Sequence, residues 1–268
     1  MPMISDCSLS TEKINAHLTE NASALISKLE LFKQIDSTNR YLMTATQTNA
    51  ASGSVCFAET QIAGKGRRGR EWISPQGQNI YGSFLWRFNH IEQLNGLSLA
   101  IGVGVIRTLN KCGAGNVGLK WPNDIYSDGK KLGGILIEVT THSNGEASAV
   151  IGFGLNLNLP PNLENITQAY TNLHEVAPNV EWERNRLIAC LLNELLPITA
   201  MFEKKGLNAY LKEWRSYDCL LNKSVSLFVG TQKISGVVQG IDENGLLKLQ
   251  RSNGVIQTFA SGEVSFSA

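Results

Sequence analysis

Two largely apolar segments, residues 132–140 and 147–157, stand on either side of Ser143-Asn144-Gly145. Long strand-like runs around an Asn-Gly turn predict a β-hairpin, which commits the chain to a sheet with adjacent antiparallel strands. A helical stretch, residues 93–113, precedes it with small Ala100, Gly102 and Gly104, which let a helix lie close against a sheet. A second helical region, residues 183–214, carries Leu187, Leu191, Leu195, Phe202 and Leu211 as its apolar stripe, with Pro197 as an expected kink or break. Near the start, Ser10-Thr11-Glu12-Lys13 predicts a short helix with Ile14, Leu18 and Leu25 on one side, followed by a first strand over residues 31–35. The expected class is α/β in the α+β sense, a mixed sheet with packed helices.

From Ser224 the apolar period changes to two. Strands are predicted over residues 225–228, 236–241, 246–249 and 255–259, with tight turns at Asp242-Glu243-Asn244-Gly245 and Asn253-Gly254. Short strands so closely spaced predict a small closed barrel, of the SH3-like kind; the other reading is a β extension of the main sheet. The expected domains are residues 1–220 and 221–268.

A hydrophobic content of 43% over 268 residues is ample for a buried core. Lys+Arg 24 against Asp+Glu 23 leaves a net charge of +1, which excludes a global polyanion-binding surface; any cationic site acts locally. A winged DNA-binding module of about 60 residues does not fit before the first strand, so no DNA partner is expected. Cys7, Cys56, Cys112, Cys190 and Cys219 are scattered and unpaired in sequence, which reads as free thiols in a reducing compartment. His17, His90, His142 and His174 lack zinc-ligand spacing. Residues 1–20 hold Asp6, Glu12 and Glu20 and no apolar run, so neither a signal peptide nor a membrane span is expected, and the location is expected to be cytoplasmic.

The local cationic site is Gly64-Lys65-Gly66-Arg67-Arg68-Gly69-Arg70. Glycine permits close backbone approach and positive φ, and arginine presents a fork that matches phosphate or carboxylate oxygens. A solvated basic loop is the alternative. Strand-like flanks at residues 54–59 and 80–88 favour a loop that a ligand orders. The P-loop and dinucleotide patterns are excluded, because both require a helix straight after their glycines.

Two further polar clusters fall at predicted strand ends. Asp36-Ser37-Thr38-Asn39 fits either a helix N-cap or a polar site. Lys120-Trp121-Pro122-Asn123-Asp124, followed by Lys130-Lys131-Leu132-Gly133-Gly134, fits a turn holding a cation beside a carboxylate, or an exposed hairpin. With Gln61 and Gly152-Phe153-Gly154-Leu155-Asn156-Leu157-Asn158, these motifs resemble, in order, those of the biotin protein ligases, and Ser261-Gly262-Glu263-Val264-Ser265 extends the resemblance to the terminal barrel. Lys65 stands where that family frequently has Arg, keeping the charge without the fork.

The resemblance implies a single-function ligase without an N-terminal DNA-binding domain. Its reaction would form biotinyl-5′-AMP from biotin and MgATP, then acylate a lysine of the biotin carboxyl carrier protein of acetyl-CoA carboxylase. It implies Lys131, Arg67 and Asp124 as catalytic groups. Ser37, Thr38, Asn39, Gln61, Arg67, Lys131, Gly133 and Gly134 would bind biotin. Gly64, Lys65, Gly66, Arg67, Arg68, Gly69, Arg70, Trp72, Lys120 and Asn156 would bind ATP or the adenylate. No metal cage is implied: Mg2+ would arrive with ATP, near Asn156. The basic loop would close over the reactive adenylate to exclude water. Rival readings are a lipoate or octanoate ligase, and a non-catalytic biotin-binding or sensing protein. The sequence leaves open association of two copies as a homodimer.

Overall fold

A computed structural model describes residues 8–160, 163, 166 and 168–266. Cys7 and the expected signal-free segment before Ser8 lie outside the described residues. The chain builds α1 (Thr11–Asn15), α2 (Glu20–Leu25), β1 (Lys28–Phe32), α3 (Thr38–Thr46), β2 (Ser54–Ala58), β3 (Ile80–Phe88) and α4 (Leu97–Lys111). It continues with β4 (Gly118–Lys120), β5 (Asp124–Ser127), β6 (Lys130–Thr141), β7 (Ala147–Leu155), α5 (Leu173–Val176), α6 (Arg184–Lys205) and α7 (Asn208–Ser216). The remainder is β8 (Ser224–Val229), β9 (Gln232–Ile241), β10 (Leu247–Gln250), β11 (Ile256–Phe259) and β12 (Glu263–Phe266).

The first seven strands form one mixed sheet in the order β1-β2-β3-β7-β6-β5-β4, with β1 parallel to β2 and the other pairs antiparallel. The predicted hairpin is its centre: Gly133 to Thr141 pair in register with Leu155 to Ala147, and Gly145 turns with φ 87°. The sheet has two unlike sides. Phe57, Phe84, Ile151, Phe153 and Leu155 point to one side and join α4 and α6 in a single apolar core. Gly104 is needed there, since a Cβ would come 2.7 Å from Ile198 and Leu195 side chains of α6. On the other side α3 packs by Leu42 against Cys56, Leu85 and Val150, and the rest of that face is left to the site.

Three local expectations are corrected. The single N-terminal helix is two short ones, because Thr19 caps the second: its hydroxyl accepts from Ala22 N at 3.2 Å, and its own N–H is drawn off to Asn193 Oδ1 at 2.9 Å. Pro197 lies inside a continuous α6, and the break falls at Gly206, with φ 58°. Buried Leu195, Leu196, Ile198 and Thr199 hold the helix through the bond that proline forfeits. The first strand starts earlier than expected, at Lys28, and Ile35 makes only an isolated bridge to Gln61.

The last five strands form a separate antiparallel sheet, β11-β10-β9-β8-β12. Among the described residues no ladder joins β11 to β12, so the expected barrel is open at that seam. Val225, Leu227, Val238, Leu247 and Leu249 bury into the same core as the large sheet. Trp121 fixes the two together by donating from Nε1 to Gly245 O at 3.0 Å. The connecting segment runs along the outer side of β4, where Leu119 N donates to Tyr217 O (2.7 Å) and Cys219 N to Leu119 O (3.0 Å).

Candidate active site

The open side of the large sheet carries a cavity of about 850 Å³, walled by the basic loop, the start of α3, the β4–β5 turn, β6, β7 and β12. Its floor is made by what β6 and β7 leave out. A Cβ at Gly154 would come 2.5 Å from Trp72 Cε2, one at Gly134 3.4 Å from Trp72 Cζ3, and one at Gly152 would collide with Asn39 Oδ1. The indole of Trp72 therefore packs on β7 only because Gly154 has no side chain, and it reaches β6 beside Gly134.

At the α3 end both readings of residues 36–39 hold together. Ser37 caps the helix, accepting from Arg40 N, and is itself buried with Thr38 and Asn39. Thr38 donates from N (2.9 Å) and Oγ1 (3.2 Å) to Gln61 Oε1, and Gln61 Nε2 donates to Ser74 Oγ at 3.1 Å. Asn39 gives its two amide protons to Leu136 O (3.2 Å) and Glu138 Oε2 (2.9 Å), while Ser83 Oγ lies 2.6 Å from Asn39 Oδ1 and 2.7 Å from Thr38 Oγ1. The polar end of the cavity is thus a pre-set network rather than a set of loose side chains.

The basic loop is folded. Gly66 N donates to Arg70 O and Trp72 N to Gly64 O, closing a turn around a 3-10 segment at Arg67–Gly69. Of its glycines only Gly69 has positive φ, at 74°, and Arg68 joins it at 57°, a conformation that costs a non-glycine residue about 1 kcal/mol. Four tethers anchor the loop: Arg67 Nη1 donates to Asn123 Oδ1 at 3.1 Å, Lys65 Nζ sits 3.8 Å from Glu138, Arg70 pairs with Glu263 of β12, and Trp72 covers the glycines. Burial and the adjacent Arg68 guanidinium push Arg67 below the ordinary arginine range. Burial opposes ionisation of Glu263, yet the bond and charge of Arg70, with Lys120 and Arg68 nearby, hold it below the usual carboxylate range.

Across the cavity Lys131 Nζ lies 2.8 Å from Asp124 Oδ1 and 5.4 Å from the Trp72 ring centroid. Lys120 is buried, its ammonium 4.9 Å from the Tyr126 ring centroid; desolvation pushes it below the ordinary lysine range against the pull of Asp124. Asn123 locks the β4–β5 turn to β6, donating to Ile135 O at 2.5 Å and accepting at its own carbonyl from Ile135 N at 2.9 Å. Asn156, buried at the end of β7, gives Nδ2 to Thr171 O at 3.0 Å, and among the described residues its Oδ1 accepts nothing.

Of the residues singled out from sequence, Ser37, Thr38, Asn39, Gln61, Lys65, Gly66, Arg67, Arg68, Arg70, Trp72, Lys120, Asp124, Lys131, Gly134 and Asn156 line this one cavity. Gly64, Gly69 and Gly133 do not. Gly64 lets the loop cross the Trp72 carbonyl, Gly69 makes the turn, and Gly133 faces away from the cavity, where a Cβ would come 2.7 Å from Gly154 O and 3.2 Å from Leu155. Sequence reading assigned nothing to Ser83 or Glu138. Each carried a signal, the lone serine in an aromatic strand and the lone charge in the apolar run 132–140.

Comparison with known proteins agrees with this arrangement. Residues 31–156 match the family model described as Biotin/lipoate A/B protein ligase family, and residues 220–267 that described as Biotin protein ligase C terminal domain. The chain is 39% identical over 252 residues to the bifunctional ligase/repressor BirA of Escherichia coli, spanning 91% of this chain and 77% of that protein. It is 31% identical over 230 residues to the biotin–[acetyl-CoA-carboxylase] ligase of Mycobacterium tuberculosis, spanning 83% of each. Among solved structures, the biotin protein ligase from Aquifex aeolicus in complex with biotin and ATP superposes with a TM-score of 0.76 at 29% identity, covering 90% of this chain and 99% of that one.

Proposed function

Given that the chain belongs to the biotin protein ligase family, we propose that its cavity converts biotin and ATP to biotinyl-5′-AMP and passes the acyl group to a lysine of the biotin carboxyl carrier protein of acetyl-CoA carboxylase. The observation that carries this reading is the convergence of Arg67, Lys120 and Lys131 on a floor of strand glycines, with Asp124 already paired to Lys131.

In the first step a biotin carboxylate oxygen bonds to the α-phosphorus of ATP, the bond to the β-phosphate oxygen breaks, and pyrophosphate departs. Two anions must approach, so the barrier falls where fixed cations meet the charge that builds on the α-phosphate oxygens. Lys131 and Arg67 take that role, with Arg68 and Lys120 on the phosphate side. Lys120 suits a dry site: desolvation weakens its hold on its own proton, and an incoming phosphate restores it. The network of Ser37, Thr38, Asn39 and Gln61 orients the ureido end of biotin, and Trp72 covers the adenylate. In the second step the acceptor lysine nitrogen attacks the acyl carbon and AMP leaves; Asp124 receives or directs the proton released.

Among the described residues no cluster of three or more His, Cys, Asp or Glu side chains could hold a metal ion. Mg2+ would be carried by the triphosphate, where Asn156 Oδ1 would serve as a protein ligand and the ion would supply charge neutralisation. We draw the boundary between catalytic and C-terminal units at residues 220 and 221, supported by the second sheet starting at Ser224. Among the described residues no helix is long and apolar enough to cross a membrane; a cytoplasmic location is part of this reading, supported by the free cysteines and by the use of ATP.

Biotin-dependent exchange of labelled pyrophosphate into ATP, run beside lipoate and octanoate, tests the proposal. Exchange with biotin alone is expected. Exchange only with the aliphatic acids would move the chain to another acid substrate, and tight biotin binding without exchange would remove the catalysis.

A further inference from the structure

Behind the cavity, out of reach of any ligand in it, lies a buried amide that joins two of its walls. Asn79 is fully buried in the residue before β3. Its Oδ1 accepts from Leu157 N at 2.8 Å and from Asn158 N at 3.3 Å. Its Nδ2 donates to Tyr81 Oη at 2.8 Å, and that hydroxyl donates to Pro75 O at 3.0 Å. Gln78 O adds a second acceptor for Asn158 N, at 2.9 Å. One side chain thus connects the segment following Asn156 to the segment following Trp72.

We infer that Asn79 is a positioning residue for the nucleotide side of the site, holding Asn156 and the Trp72–Pro75 segment in register; the inference rests on the reading under Proposed function. Only a carboxamide satisfies this position, because it must accept two backbone N–H groups and donate to a hydroxyl. The biotin side leans on it at one point only. Thr38 and Asn39 are held by Ser83 and Glu138, neither of which touches Asn79, while Gln61 bonds Ser74, inside the Trp72–Pro75 segment. Loosening Asn79 therefore shifts the nucleotide side more than the biotin side, an asymmetry that general destabilisation does not produce. With the clamp gone, Leu157 N and Asn158 N lose their shared acceptor and the chain beyond β7 moves.

The test is pyrophosphate exchange with KM measured separately for ATP and biotin. Asn79→Ala is expected to raise KM for ATP about tenfold, the equivalent of one lost buried hydrogen bond, while KM for biotin stays within about twofold. Asn79→Asp, which keeps the acceptor but loses the donor to Tyr81 Oη, is expected to recover only a small part of the loss. Tyr81→Phe, which cuts only the link to Pro75, is expected to raise KM for ATP about threefold; it carries the test if Asn79→Ala does not fold. Equal shifts in both KM values, or a fall in kcat with neither KM moved, would overturn the assignment while the function stands. No biotin-dependent exchange in the unmodified protein would overturn the functional reading and the assignment with it.

Discussion

β7 carries two different proteins on its two sides. Toward the helices it presents Ile151, Phe153 and Leu155, all buried in the main core. On the other side the same stretch presents Val150, packed under Leu42 of α3, and then Gly152, Gly154 and Asn156 along the cavity, thinning from bulk to nothing to a polar group. The helix side keeps its own side chains and fills space with them. The cavity side lends its space to side chains from elsewhere, Asn39 over Gly152 and Trp72 over Gly154. Stability and chemistry are thereby separated by the thickness of one strand, and substitutions on either side should fail in different ways.

The largest effect is expected on the helix side. Phe153, which meets Phe57 edge-on at 5.8 Å between centroids, should cost about 3–5 kcal/mol when cut to alanine, read as a drop in denaturant midpoint with KM for biotin unchanged in the folded fraction. On the opposite side Lys131→Ala should lower pyrophosphate exchange by about 100- to 1,000-fold, with a denaturant midpoint close to that of the unmodified chain. If Lys131→Ala unfolded the chain, or Phe153→Ala left it stable and inactive, the separation would be gone.

Asp218, in the connection between the two sheets, belongs to neither side and sharpens the contrast by its pH dependence. Burial pushes its carboxyl up to about 6, and its Oδ2 has no hydrogen-bond partner among the described residues. The folded chain therefore keeps a proton that the unfolded chain has released, so stability is full below the ordinary carboxylate range and declines as pH rises through about 6. Asp218→Asn should gain about 2 kcal/mol at pH 8 and almost nothing at pH 4, checked by thermal melts at both values. A gain independent of pH would show that the carboxyl is not the cause.

A smaller effect is expected at Gly154→Ala, where the added methyl meets Trp72 Cε2: exchange should fall about tenfold with stability changed by less than about 1 kcal/mol. The smallest belongs to Arg70→Ala. Its pairing with Glu263 is solvent-exposed, so its removal should change activity by only a few-fold, and by less still at high salt. A large loss there would make the second sheet a partner in catalysis equal to the first.

Much of this was legible in the chain, and the limits have physical causes. The hairpin was readable because Asn144-Gly145 and two long apolar runs specify it locally. The motif residues were readable because glycines and cations in one short stretch have few other uses. The three-dimensional link from Arg70 to Glu263 spans 193 positions, and nothing local encodes it. The roles of Ser83 and Asn79 were hidden for another reason: each is one small polar group whose meaning lies in partners elsewhere in the chain, Thr38 and Asn39 for the first and Leu157 and Asn158 for the second. Pro197 misled because helix propensity is local, while the core around Leu195 and Ile198 that overrides it is not.

The segment that leads into the second sheet also seals the first against strangers. A strand with unpaired N–H and C=O groups is a template on which another chain can pair. Leu119 spends both of its outward groups on Tyr217 and Cys219, so β4 offers no such template at its centre. The opposite edge, β1, is interrupted by the Lys28–Glu30 ion pair, a charged surface poorly suited to a flat neighbour. The junction thus guards against runaway strand addition, and a nick at residues 217–219 would give neighbouring chains a fresh edge on which to stack.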